Sequence, residues 1–498
     1  MDMTTSPLDR CYLTRRAFVA ATVAGAFAVA GCGRASSPPP SLDGAIAAAE
    51  ATRPHTGRTV TASLTAQPTT VDLGGPLART LSYGDNIPGP LIRANVGDEL
   101  AVTVTNRLDH PTSVHWHGIA LTNPMDGAAP ATPNIDAGRD FTYRFSVPDP
   151  GTYWAHPHTG LDADYGLYLP VIVDDPADPG RYDAEWIVVL DDWTAGIGKT
   201  PQQLFDDLHG MSGMGGMPGM PGMSGVGGSP LLGGDAGDIN YPYYLINGRI
   251  PAAPTSFTAK PGQRIRIRII NAGSDTAFRV ALAGHAMTVT HTDGYPVTPI
   301  EVDALLLGMG ERYDVIVTAG DGVFPLVANA EGKRQLARAL LVTGAGTAPE
   351  LGYQPPQLNG RVGTVDMFTA TSPVDLGAGK PDTTLTADLS GSMMTYDWAI
   401  NGRAYPGSLP LTVRQGQRAA LTFTNRSMMW HPMHLHGHTF QVLKPDGTPG
   451  PRKDTVIVLP MQKVTVDLVA DNPGVWMMHC HNTYHQEGGM MTTLNYIT

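Results

Sequence analysis

Apolar and polar positions alternate along much of the chain. Leu100, Val102 and Val104 alternate with Ala101, Thr103 and Thr105, and Ile265, Ile267 and Ile269 alternate with Arg266 and Arg268. A period of two on β-branched residues predicts half-buried strands. One layout occurs three times. Val96-Gly97-Asp98-Glu99 leads to Asn106, Pro261-Gly262-Gln263-Arg264 to Asn271, and Gln415-Gly416-Gln417-Arg418 to Asn425. Glycine and asparagine are nine residues apart each time (97 to 106, 262 to 271, 416 to 425). The second and third copies also carry Asn247-Gly248-Arg249 and Asn401-Gly402-Arg403 upstream. Spacings of 165 and 154 residues between copies are domain-sized rather than solenoid-sized. The pattern predicts an all-β chain of three β-sandwich domains with shared ancestry, over residues 54–178, 184–346 and 360–498.

Composition agrees with this picture. Of 498 residues, 42% are hydrophobic and 16% charged, which excludes a disordered or fibrous chain. The 58 glycines and 43 prolines disfavour a helical protein. A net charge of -12 does not attract phosphate backbones, so nucleic acid is excluded as a partner.

The N-terminus reads as an address. Arg15 and Arg16 precede an apolar run from Ala17 to Gly31, too short for a membrane span and right for a signal core. Thr14 to Val19 resembles a twin-arginine export signal. Val29-Ala30-Gly31-Cys32 resembles a lipobox, with Cys32 as the lipidated residue. The alternative is a plain signal peptide with an incidental cysteine. Residues 32–53, rich in Ser, Pro and Ala, read as a tether. The expectation is an exported monomer of the cell envelope or periplasm, whose membrane contact is through that lipid alone. Three cysteines, Cys11, Cys32 and Cys480, do not make a disulfide framework. Processing would leave Cys480 as one thiol in an exported protein, and that needs a chemical reason.

Sixteen histidines are present, and random placement would give fewer than about one His-x-His. There are five, at 115/117, 156/158, 434/436, 436/438 and 479/481. On a strand, residues i and i+2 share a face, so one pair can serve two neighbouring metal ions. The four pairs other than 436/438 supply eight imidazoles, which suit Cu, Zn, Fe and Ni and argue against Mg or Ca. In His479-Cys480-His481 the histidines face one way and the thiol the other. A metal on Cys480 is then joined to histidine-bound metals through a few covalent bonds. His485 and Met490 follow, and His431 lies three residues before His434. Two histidines, a thiolate and a weak thioether make a blue-copper electron-transfer site. His55, His110, His209, His285, His291 and His438 read as structural.

With these residues in view, the chain resembles the multicopper oxidases, of the three-domain bacterial laccase and copper-tolerance cuprous oxidase type. The segments are His115-Trp116-His117-Gly118, His156-Pro157-His158, His431-Pro432-Met433-His434-Leu435-His436-Gly437, and His479-Cys480-His481-Asn482-Thr483-Tyr484-His485 through Met490. The resemblance implies three cupredoxin-like Greek-key sandwiches and four copper ions. It implies a type 1 copper on His431, Cys480, His485 and Met490, and a type 2 copper on His115 and His434. It implies two type 3 coppers, one on His117, His156 and His481, the other on His158, His436 and His479. Electrons from a reductant would pass from Cys480 through His479 and His481 to a trinuclear cluster that reduces dioxygen to water. Asp126 falls where similar oxidases place an acid near the cluster; the alternative is an exposed turn aspartate. Related bacterial oxidases often carry an acid directly after the residue matching His485. Here Gln486 stands there, with Glu487 next. Glutamine cannot shuttle a proton as a carboxylate does, so either Glu487 substitutes or another path serves.

One stretch stands outside the β pattern. Residues 209–228 are almost wholly Gly, Pro, Met and Ser, with Met211, Met214, Met217, Met220 and Met223 at every third position. In a polyproline-like chain, five thioethers would share one side. Met428 and Met429 lie just before His431. Soft thioethers favour Cu(I). The expected function is therefore oxidation of Cu(I), and also of phenols and Fe(II), by dioxygen, with a role in copper tolerance. The alternatives are a low-complexity spacer on a phenol oxidase or ferroxidase, and a copper-binding electron-transfer or storage protein without oxygen chemistry.

Overall fold

The computed structural model describes residues 41–178, 181–210, 227–377 and 379–497. Cys32, the twin-arginine segment and Met211 to Met223 lie outside the described residues.

The described chain forms six sheets, two for each repeat. In the first repeat, a four-stranded sheet ordered Leu77–Tyr83, Thr59–Asp72, Glu99–Asn106 and Asp140–Ser146 accompanies one ordered Ile92–Asn95, Leu169–Asp174, Gly151–His156 and His115–His117. The second has two six-stranded sheets, and the third a six-stranded and a five-stranded one. Each repeat contains the same parallel pair. Thr59–Asp72 runs beside Glu99–Asn106, Ala184–Trp193 beside Arg264–Asn271, and Thr383–Ser392 beside Arg418–Asn425.

The landmark residues have local work to do. Gly97, Gly262 and Gly416 have φ of 81°, 81° and 82°, a left-handed turn into the strand that only glycine adopts without cost. The three asparagines close the strand. Each donates from Nδ2 to carbonyls across the loop that follows: Asn106 to His110 and Ile135, Asn271 to Thr276 and Leu307, Asn425 to Met429 and Val458. Each also accepts a backbone N–H two residues on. Buried backbone groups that the sheet cannot pair are thereby satisfied.

Within residues 32–53, expected as a tether, Leu42–Ala51 is an α-helix capped by Ser41. Arg53 then donates to the carbonyls of Ala120 and Leu121 and to Asn472 Oδ1, joining the first and third repeats. Its alanines favour helix, a preference that the flanking Ser/Pro composition masks. Near the expected start of the third repeat, Val362–Gly363 pairs with Ala304–Leu307 of the second.

Candidate metal centre

Strand register assembles the histidines. His115–His117 pairs antiparallel with Gly151–His156, setting His115 opposite His156 and His117 opposite Trp154. Val475–Cys480 pairs with His431–Leu435, setting His434 opposite His479 and Met433 opposite Cys480. The turns after His156, His434 and His479 carry His158, His436 and His481 onward. The first and third repeats meet with all eight rings between them.

Their nitrogens converge. His115 Nε2 and His434 Nε2 are 3.4 Å apart. His479 Nε2 lies 3.2 Å from His158 Nε2 and 3.0 Å from His436 Nε2. His117 Nδ1 lies 3.2 Å from His481 Nε2, and the His156 ring centre is 5.1 Å from that of His481. Imidazoles sharing one ion at ~2.0 Å hold their nitrogens about 3.3 Å apart in tetrahedral geometry. His158, His436 and His479 offer three ligand atoms within 4.8 Å of one another, and so do His115, His117 and His156.

Hydrogen bonds set which nitrogen is offered. Nδ1 of His115 donates to Asp126 O, of His156 to Pro157 O, of His434 to Asp454 O, and of His479 to Cys480 O, each at 2.9 Å. His436 Nδ1 donates to Asp126 Oδ2 at 2.9 Å. Each ring is left with an Nε2 lone pair facing inward. His117 is reversed: Nε2 lies 3.1 Å from Asp454 Oδ1, and Nδ1 faces the cluster. His156 Nε2 is buried with no protein partner. Burial holds His117, His156, His158, His436 and His479 well below the usual imidazole range, and His481 is pulled down to about 3. These rings stay neutral, as metal ligands must.

A second group sits behind the Cys480 strand. Cys480 Sγ is 3.6 Å from His431 Nδ1 and 3.7 Å from His485 Nδ1, and the two nitrogens are 3.0 Å apart. Asn482 caps the helix Thr483–Glu487, which carries His485 back toward the thiol. Met490 is wholly buried, with Cys480 N donating to its carbonyl and its own N–H to His485 O. Ser427 Oγ lies 2.8 Å from His431 Nε2, and Asp238 Oδ2 3.0 Å from His485 Nε2. The Trp398 ring packs 4.1 Å from that of His485.

Asp126 is not an exposed turn residue. It is buried, and besides holding His436 it presents an Oδ1 with no hydrogen-bond partner. Glu487 accepts from Gln486 Nε2 at 3.1 Å and touches no histidine by hydrogen bond; burial raises its pKa. His438 points away, bonded to His436 O and Tyr496 OH. Met428 is exposed, and Met429 packs partly buried against the core. Reasoning from spacing does not reach Asp454, Thr455, Asp238 or Ser427. They belong to no repeated motif, and only folding brings them to the rings.

Fold and site together define an all-β protein in which eight histidines, all buried but the partly buried His158, converge between two domains, and a second group of His431, Cys480 and His485 could also hold a metal ion. Multicopper oxidase family models match residues 65–178, 184–346 and 380–497. The chain is 66% identical over 494 residues to multicopper oxidase MmcO of Mycobacterium tuberculosis, covering 98% of each. It is 28% identical over 534 residues to a copper resistance protein A homolog of Pseudomonas syringae, with 86% of this chain and 90% of that one covered. Among solved structures it is similar to Fet3p, a multicopper oxidase that functions in iron import, with TM-score 0.74, 21% identity, and coverage of 88% and 90%. The chain belongs to the multicopper oxidases and is an oxidoreductase that uses copper.

Proposed function

We propose that this oxidase takes electrons from Cu(I) and passes them to dioxygen, in the service of copper tolerance. The observation that carries the substrate is where the methionine-rich segment starts and ends. The helix Pro201–Gly210 leads into it, and His209 of that helix lies 5.3 Å, ring to ring, from Tyr396. Tyr396 OH donates to Asp238, the carboxylate on His485. On the far side, Leu232 packs against Trp430, next to His431, and Trp430 N donates to Asp235. The described residues that flank the methionine-rich segment thus lie beside the histidines of the Cys480 group, and Met428, three residues before His431, is exposed. Soft thioethers there would gather Cu(I). The similarity to a copper resistance protein A homolog supports the same reading.

His431, Cys480, His485 and Met490 would hold the type 1 copper. His115 and His434 would hold the type 2 copper. His117, His156 and His481 would hold one type 3 copper, and His158, His436 and His479 the other. Copper at these positions supplies one-electron oxidation at the first site and oxygen reduction at the other three. Cys480 and its neighbours His479 and His481 provide the covalent route between them. Asp126 Oδ1 is the atom on which a proton would be held for the cluster. Glu487, whose burial favours its protonated form, would serve the opposite side in place of the acid that Gln486 lacks. We also propose twin-arginine export and a lipid on Cys32, supported by Arg15-Arg16 and by the one thiol left for metal.

The test is oxygen uptake driven by Cu(I), by a phenol and by Fe(II), on copper-loaded protein with and without residues 211–226. Loss of Cu(I) turnover alone, by tenfold or more, supports the proposal. Equal Cu(I) rates in both forms overturn the substrate role of the methionines and leave phenols or Fe(II) as the reductant. Full copper without oxygen uptake in the intact protein overturns the assigned role of the cluster.

A further inference from the structure

We propose that the middle domain, which contributes no histidine to the centre, sets the geometry of the trinuclear histidines through Arg312, a positioning residue. This rests on the copper assignment above.

Arg312 is wholly buried. Its five N–H groups are all engaged, and they reach all three domains. Nε donates to Thr152 O of the first domain at 3.0 Å. Nη1 donates to Gly310 O at 3.0 Å, and Nη2 to Asp293 O at 3.2 Å, both in its own domain. The remaining two form a fork on Asp454 of the third domain, Nη1 to Oδ1 at 2.8 Å and Nη2 to Oδ2 at 2.7 Å. Although burial opposes ionisation, this guanidinium holds the Asp454 carboxyl well below its usual range.

Asp454 passes that order on to the cluster. Its Oδ1 lies 3.1 Å from His117 Nε2, and its backbone carbonyl accepts from His434 Nδ1 at 2.9 Å. Thr455 Oγ1 donates to the same Oδ1 at 2.8 Å. Thus one fixed residue orients two rings on two different domains, His117, assigned to type 3 copper, through its carboxylate and His434, assigned to type 2 copper, through its backbone carbonyl. The contact is close on every side. A Cβ on Gly118, next to His117, would lie 2.3 Å from Arg312 Nη2. A Cβ on Gly310 would lie 2.9 Å from His481 Cδ2 and 3.0 Å from His117 Cε1. The segment around Asp454 is also gripped by Asp293 of the middle domain, which pairs with Lys453 and accepts from the N–H groups of Asp454 and Thr455.

Lysine keeps the charge but cannot form the fork. Copper-loaded Arg312→Lys and Arg312→Met would therefore be compared with the parent by copper content, the blue type 1 band, the type 2 paramagnetic resonance signal and the near-ultraviolet type 3 band. The type 1 band and its anaerobic reduction by substrate are expected to be unchanged in Arg312→Lys. Its type 2 signal is expected to shift or fall to less than about half, its type 3 band to weaken, and reoxidation by dioxygen to slow at least tenfold. Arg312→Met is expected to go further in the same direction. Parental type 2 and type 3 signals in both variants would overturn the proposal. So would loss of all copper in both, type 1 included, because Arg312 would then serve the fold and not the cluster. Absence of type 2 and type 3 signals from the parent itself would instead overturn the copper assignment.

Discussion

A single β-carbon is enough to disturb the centre at Gly127. This residue follows Asp126, whose carbonyl fixes the tautomer of His115. Its φ is 82°, and a Cβ there would lie 1.7 Å from Val114 O, backbone that cannot yield without moving His115. Gly262 has a similar φ of 81° but nothing within 4 Å of the added atom. Gly262→Ala is expected to cost about 1 kcal/mol, the ordinary penalty of a left-handed alanine. Gly127→Ala is expected to cost about 3 kcal/mol or more in denaturant unfolding, through backbone displacement, and to weaken the type 2 signal. Similar costs at the two sites would show that the turn gives way.

At the scale of an element, five residues of helix place His485. Asn482 Oδ1 accepts from Tyr484 N and His485 N, at 3.0 and 3.2 Å, while its Nδ2 donates to Asp275 at 2.8 Å. The cap thus fixes both the turn and its docking on the middle domain. Asn482→Ala is expected to lower stability by about 1 kcal/mol, as for other lost caps. It is also expected to shift the blue band, because His485 loses the N–H bond that sets its distance from Cys480. Thermal melts and visible spectra check the two effects separately. The sequence spacing between Cys480 and His485 announced a ligand pair; the helix that delivers it is too short to leave a periodic signal. The helix Leu42–Ala51 was hidden for a different reason: it lies in a composition that otherwise reads as linker.

At the scale of the molecule, metal and fold are coupled. The eight histidines lie between two domains, seven of them buried and His158 partly so, and burial depresses the pKa of most of them. For His481, burial first and then repulsion by His434 lower it from 6.5 to about 3. Between those values the unfolded chain binds protons that the native chain refuses. Stability of the copper-free protein is therefore expected to fall as pH drops from about 6.5 toward about 3, and to be flat in this contribution above 6.5. Copper, which binds the neutral rings, should raise the melting temperature and blunt that acid loss. Calorimetry of loaded and chelated protein from pH 4 to pH 8 measures both. A copper-free protein equally stable at both ends would mean that the rings are not held neutral.

The strand alternation, the three Gly-to-Asn repeats and the His-x-His pairs are local, period-two or fixed-offset signals, so the sequence by itself determined the β-sandwich class and singled out the histidines and the cysteine that the fold brings together. Residues such as Gly127 and Asn106 could be noticed but not explained before their neighbours were known. Register across strands, the meeting of the first and third domains, and the reach of Arg312 into both depend on contacts between residues from tens to hundreds of positions apart. No periodicity records such contacts. Only the tertiary structure decided that Asp126 is buried on His436, that Asp238 and Ser427 hold the outer nitrogens of His485 and His431, and that the middle domain touches the cluster through Asp454.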